Sequence, residues 1–157
     1  MLSSIKRHDM AQLKRRATAK WQGNGLEGKG TLTGPSGVLN ETPYSFKARF
    51  QNEDGTAGTN PEELIAAAHA GCFTMALSFQ IANAGFTADS LETSATLVMN
   101  EENGGFAPGE IILDLTGRVT GLDESKFREL AETAKANCPI SKALAAVPMR
   151  LNVTFES

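Results

Sequence analysis

Thiols are scarce in this chain, whose 157 residues include two cysteines, Cys72 and Cys138. So few cysteines exclude the disulfide-dense scaffold of small secreted domains, and a thiol pair in a cytoplasmic chain is expected to be catalytic or metal-binding. Histidine is just as sparse: His8 lies in a basic opening segment, and His69 lies one helical turn before Cys72, where it reads as a satisfied helix histidine. A zinc site takes about four N, S or O ligands, so no metal is expected, and no other cofactor. No excess of positive charge exists either. The net charge is −3 and the pI about 5.4, which gives no overall electrostatic case for nucleic acid.

Charge is unevenly spread. Residues 1–20 hold Lys6, Arg7, Lys14, Arg15, Arg16 and Lys20 against Asp9, a net of +5, which leaves −8 for the other 137 residues. That opening reads first as a solvated extension, with a transit peptide or an anion-binding arm as alternatives. No apolar stretch follows it, so a secretory signal is not expected and a cytoplasmic location is. Asn40-Glu41-Thr42 and Asn152-Val153-Thr154 then lose any meaning as glycosylation acceptors. Gly23 to Lys29 approaches a phosphate-binding loop, but Gly30 replaces the hydroxyl residue and a strand follows where a helix is needed, so a hairpin turn is expected.

Between Leu64 and Ala88 no charged residue occurs. The length invites a membrane-spanning helix, but Ala and Gly dominate the segment and His69, Gln80 and Asn83 interrupt it. A helix apolar on all sides is better explained as the buried axis of a small domain or dimer, and no membrane is expected. Asn60-Pro61-Glu62-Glu63 is a dense start signal for it, and Gly85 a stop.

Elsewhere, alternation predicts strands over 17–21 and 29–33 as a hairpin, and a third over 44–50 with Arg49 facing away from Phe46. A longer hairpin is expected over 91–100 and 111–119 around Asn103-Gly104-Gly105, then helices over about 123–137 and 139–146, and a last strand over 149–155. Residues 51–60 read as loop. The order is that of an α+β fold, and the length suits one domain over 16–157 behind a basic extension over 1–15.

The cysteine settings differ. Burial in an apolar helix disfavours the thiolate of Cys72, whereas Cys138 sits where one helix stops and Pro139 starts another, next to a dipole end that favours an anion. Pattern alone therefore makes Cys138 the better nucleophile.

From Trp21 onward the sequence resembles the OsmC/Ohr family of organic hydroperoxide reductases, the OsmC branch in particular. The matching stretches include Gly37-Val38-Leu39-Asn40, Arg49-Phe50, Gly58-Thr59-Asn60-Pro61-Glu62-Glu63-Leu64-Ile65, Ala67-Ala68-His69-Ala70 with Cys72-Phe73, and Cys138-Pro139-Ile140-Ser141. Gly71, where Ala is the expectation, and a slightly lengthened Thr56-Ala57-Gly58 depart from the pattern.

The resemblance implies an intertwined homodimer in which antiparallel sheets wrap around long central apolar helices, with active sites at the subunit interface. It implies a peroxidatic Cys72, a resolving Cys138, an activating Arg49 and its carboxylate partner Glu62. The activity it implies is thiol-dependent reduction of organic hydroperoxides, weaker on hydrogen peroxide, with an external dithiol or lipoylated protein as reductant. Glu62 and Cys72 lie ten positions apart, or about 15 Å along one helix. If both serve one site, the Glu62–Arg49 pair is supplied by a second subunit. A redox sensor that switches a partner-binding surface is the alternative function, and a small-molecule binding protein with an inert Cys72 is a third.

Overall fold

The structure, a computed structural model, describes residues 12–52 and 58–157. Most of the basic opening and the Thr56-Ala57 stretch lie outside them. The chain forms two compact units, one ending at Asn60 and the other spanning Pro61–Ser157. Each is mixed α and β.

In the first unit β1 (Thr18–Gln22), β2 (Lys29–Thr33) and β3 (Thr42–Tyr44) make an antiparallel sheet in that order. The expected hairpin is present, and the would-be phosphate loop is its turn. Asn24 closes it by accepting from the backbone N–H of Gly28 and Glu27 and from the Trp21 indole. Gly30 is needed near the start of β2, because a Cβ there would collide with the rings of Trp21 and Tyr44, which meet at a tilt with centroids 5.4 Å apart.

The third strand stops at Tyr44, and Phe46–Phe50 is a helical turn, α1, rather than its continuation. Ser45 decides this by accepting a hydrogen bond from the Ala48 N–H, an N-cap that a strand could not use. Over five residues Phe-Lys-Ala-Arg-Phe fits a period of 2 and an i, i+4 helical pair equally well. The pair wins: Phe46 and Phe50 stack at 5.1 Å, and the Arg49 guanidinium lies 4.6 Å over the Phe50 ring.

The second unit is built on α2 (Pro61–Asn83). Pro61 at its first position and Glu62 and Glu63 in its first turn match the start signal. At the other end Gly85 takes φ +90, and the Phe86 and Gly85 N–H groups donate to Ile81 and Ala82 in the paired pattern that ends a helix in a left-handed residue. By length and composition α2 could cross a membrane. One stripe of it, His69, Phe73, Leu77 and Ile81, is nevertheless core.

That stripe packs on α3 (Glu124–Asn137), α4 (Pro139–Ala143) and β4 (Ser90–Glu102). β4 pairs antiparallel with β5 (Gly105–Arg118) across the two-residue turn Asn103-Gly104, both with positive φ as such a turn requires. β6 (Met149–Glu156) then lies parallel to β5, so α3 and α4 form the crossover that returns the chain. The core is the layer between helices and sheet, with Phe73, Leu77, Ile111, Leu113, Leu115 and Phe127 fully buried.

Gly117 on β5 faces the Phe127 ring, and a Cβ there would overlap it and touch Leu91 at 3.1 Å. Gly117→Ala should therefore lower the unfolding free energy by about 1–3 kcal/mol. Gly71→Ala, in an open helical position, should instead raise it by about 0.5–1 kcal/mol. Urea denaturation of both variants measures the difference.

Candidate active site

Cys72 sits one position before Phe73 in the buried stripe of α2, which rotates its side chain to the edge of the core and leaves it half-buried. Cys138 is fully buried. Its placement follows from Pro139: the residue before a proline is pushed out of the helical region, and Cys138 accordingly takes φ −57, ψ 124. The residue thus ends α3, its N–H donating to Ala134, and starts α4, its carbonyl accepting from Lys142. The side chain is turned inward against α2. Both cysteines are free, and their side chains are hydrogen-bonded to each other.

The two thiols share a proton unequally. Burial pushes the Cys72 thiol up, and its hydrogen bond to Cys138 and the charge there push it further, against a smaller pull from the Ile140 N–H. Burial also acts to raise Cys138, but it is outweighed by the Cys72 side chain, the Ser141 backbone and hydroxyl, and the Ile140 backbone, so this thiol lies below the ordinary range. These neighbouring polar groups, rather than the dipole of α4, which is five residues long, favour the anion, and no backbone N–H of α4 caps the sulfur. Negative charge therefore favours the sulfur that solvent cannot reach, while the proton stays on the one it can.

Behind Cys138 lies a second polar pair. His69 Nε2 is 2.8 Å from Ser141 Oγ, with His69 only 1% and Ser141 5% exposed. Burial holds His69 below its usual pKa, so the ring is neutral. Its Nδ1 is buried with no hydrogen-bond partner among the described residues. His69 was expected to be satisfied; it is so at one nitrogen. Ser141 stands in the sequence only as the last residue of the matching Cys138-Pro139-Ile140-Ser141 stretch, and nothing there signals its pairing with His69.

Of the four expected site residues the structure brings Cys72 and Cys138 together. Glu62 lies in the first turn of the same unbroken α2, about 15 Å along the axis from Cys72, and the two do not share a site within this unit. Arg49 belongs to the first unit, on α1 over Phe50.

A family model described as OsmC-like protein matches residues 52–152. The peroxiredoxin OsmC of Escherichia coli (strain K12) is 46% identical over 134 residues, which cover 85% of this chain and 92% of that protein. The organic hydroperoxide resistance protein OhrB of Bacillus subtilis (strain 168) is 35% identical over 115 residues, 73% of this chain and 80% of that one. The crystal structure of OhrB superposes with a TM-score of 0.62 at 30% identity, covering 88% of this chain and 98% of that one.

The shared proton gives opposite expectations for the two thiols. Cys138→Ala should lower the Cys72 pKa, because it removes the partner that raises it, and Cys72→Ala should raise that of Cys138. Thiolate ultraviolet absorbance against pH follows each. Shifts of the same sign would mean that the sulfurs are not hydrogen-bonded.

Proposed function

The chain belongs to the OsmC-like protein family, and on that premise we propose that it is a thiol-dependent peroxidase that reduces organic hydroperoxides to alcohols, and hydrogen peroxide less well. A peroxide-related redox role agrees with the names of its relatives. The observation that carries the finer reading is the hydrogen-bonded pair of free thiols, one half-buried at the edge of the core and one fully inside it.

Access assigns the roles, because a peroxide can reach Cys72 and not Cys138. The Cys72 thiolate attacks the terminal peroxide oxygen, the O–O bond breaks, and the departing alkoxide takes the proton that the two sulfurs shared. Cys72 is left as a sulfenic acid. Cys138, now the thiolate, attacks the Cys72 sulfur; the S–O bond breaks, hydroxide leaves to solvent and is neutralised there by buffer acid, and a disulfide remains. An external dithiol, carried on a lipoylated protein or free in the cytoplasm, returns two electrons by thiol exchange.

The difficulty in this scheme is the raised Cys72 thiol. A cation is needed beside it, and the proposed one is Arg49, held by Glu62. A guanidinium can face the thiolate and the peroxide at once. Because Glu62 is remote from Cys72 along its own α2, the pair arrives from a second copy, making the active protein a homodimer with shared sites. Apolar Ile65, Met75 and Phe79, exposed along α2, suit such an interface.

Cys72→Ser should abolish peroxide reduction, whereas Cys138→Ser should permit one oxidation and leave a sulfenic acid that dimedone captures. Loss of the first oxidation in Cys138→Ser would reverse the roles. Many turnovers with a dithiol present are expected of the unsubstituted protein, and a single oxidation would instead identify a sensor.

Arg49→Lys should cut turnover by about one to three orders of magnitude, or roughly 1.4–4 kcal/mol of transition-state stabilisation, despite keeping the charge. Arg49→Gln should be inactive. If sites are shared, co-refolded Arg49→Gln and Cys72→Ser chains regain about a quarter of full activity, since half of random dimers are mixed and each holds one intact site of two. No recovery would place Arg49 and Cys72 in the same chain's site, or Arg49 in neither.

A further inference from the structure

His69 and Ser141 take no part in the steps above, although both are almost completely buried beside the thiols. We propose that they form a positioning relay for the resolving step, in which His69 Nε2–H donates to Ser141 Oγ and the Ser141 hydroxyl donates to the Cys138 sulfur.

The direction of the relay follows from the unpaired nitrogen. A neutral imidazole carries one N–H. Were it on Nδ1, a buried N–H would face no acceptor among the described residues, and Ser141 would have to give its proton to Nε2 and withdraw it from Cys138. With the N–H on Nε2, the group left unpaired is a lone pair, which proteins tolerate more often than an orphaned N–H. The hydroxyl is then free to point at sulfur. Burial disfavours a second proton on His69, which favours keeping this orientation at neutral pH.

The relay matters most after Cys72 has been oxidised. In the reduced pair the Cys72 S–H is one of the donors to Cys138. Once Cys72 is a sulfenic acid that S–H is gone, and Ser141, three residues on from Cys138 in α4, is the side chain left to favour its ionisation within the apolar core. Cys72 and His69 are the ionisable groups of α2 that reach the Cys138 side. On α3 and α4 the basic groups of the last turns are Lys135, paired with Glu132 at 3.2 Å, and Lys142, and neither is among the causes of the Cys138 shift. The resolving sulfur thus depends on neutral donors.

The role in resolution rests on the peroxidase reading, but the donation to sulfur does not, and the two are separable by experiment. In a Cys72→Ser background the Cys138 thiolate is titrated by ultraviolet absorbance, with no peroxide present. Adding Ser141→Ala or His69→Leu should raise its apparent pKa by about one unit, a tenfold loss of thiolate at neutral pH. His69→Gln, whose side-chain amide can donate from a similar position, should restore most of it.

In chains with both cysteines, one equivalent of tert-butyl hydroperoxide should give a disulfide that closes about tenfold more slowly, relative to sulfenic acid formation, in Ser141→Ala and His69→Leu. Thermal unfolding confirms that each variant is folded. If folded Ser141→Ala leaves both the titration and the closure ratio unchanged, the relay is wrong; a lower melting temperature with no shift in the titration makes the pair merely structural and is equally fatal. If the peroxide fails to oxidise Cys72 in the unsubstituted protein, the peroxidase reading and the role in resolution fall, while the titration still decides whether the relay exists.

Discussion

The pairing of the Cys72 and Cys138 side chains is the contact on which the proposed chemistry depends, and backbone geometry sets it. Pro139 forces Cys138 out of the helical region. That turn of the chain ends α3, starts α4 and aims the side chain at α2, all at one residue. On the other side, the stripe of His69, Phe73, Leu77 and Ile81 fixes how α2 is rotated about its axis, and so decides that Cys72 lies at the edge of the core. Neither sulfur could move by half a helical turn without losing the other.

Electrostatics within the pair run against a simple division of labour. The accessible thiol is the harder to ionise, and the inaccessible one the easier. Such an arrangement protects the resting protein, because a half-exposed cysteine that keeps its proton is a poor target for adventitious oxidants. In the proposed mechanism it also readies Cys138 for its turn, since ionisation, not accessibility, is what an internal attack requires.

Much of this was legible in the sequence for local reasons. The start of α2 at Pro61-Glu62-Glu63, its stop at Gly85, the Asn103-Gly104 hairpin and the break at Cys138-Pro139 are written in neighbouring residues, and the structure agrees with each. The strand expected over 44–50 failed because five alternating residues do not distinguish the two periods and the Ser45 cap settled the matter. His69 and Ser141 were illegible as a pair, for their 2.8 Å contact joins positions 72 residues apart and neither residue type is unusual where it stands. The ranking of the thiols was half legible: Cys138 at a helix start did point to an easier anion, but the polar groups that favour it are first the Cys72 side chain and then Ser141, not the helix dipole.

The parallel pairing of β6 with β5 places the whole α3–α4 segment inside a crossover connection. Antiparallel neighbours such as β4 and β5 meet across a two-residue turn, but β6 meets β5 only across the whole length of the intervening helices. Cys138 lies near the end of that detour. In the unfolded chain the two thiols are ordinary and unrelated; the tuned pair exists only in the finished tertiary structure, so that folding itself acts as the safety catch on the proposed reactive centre.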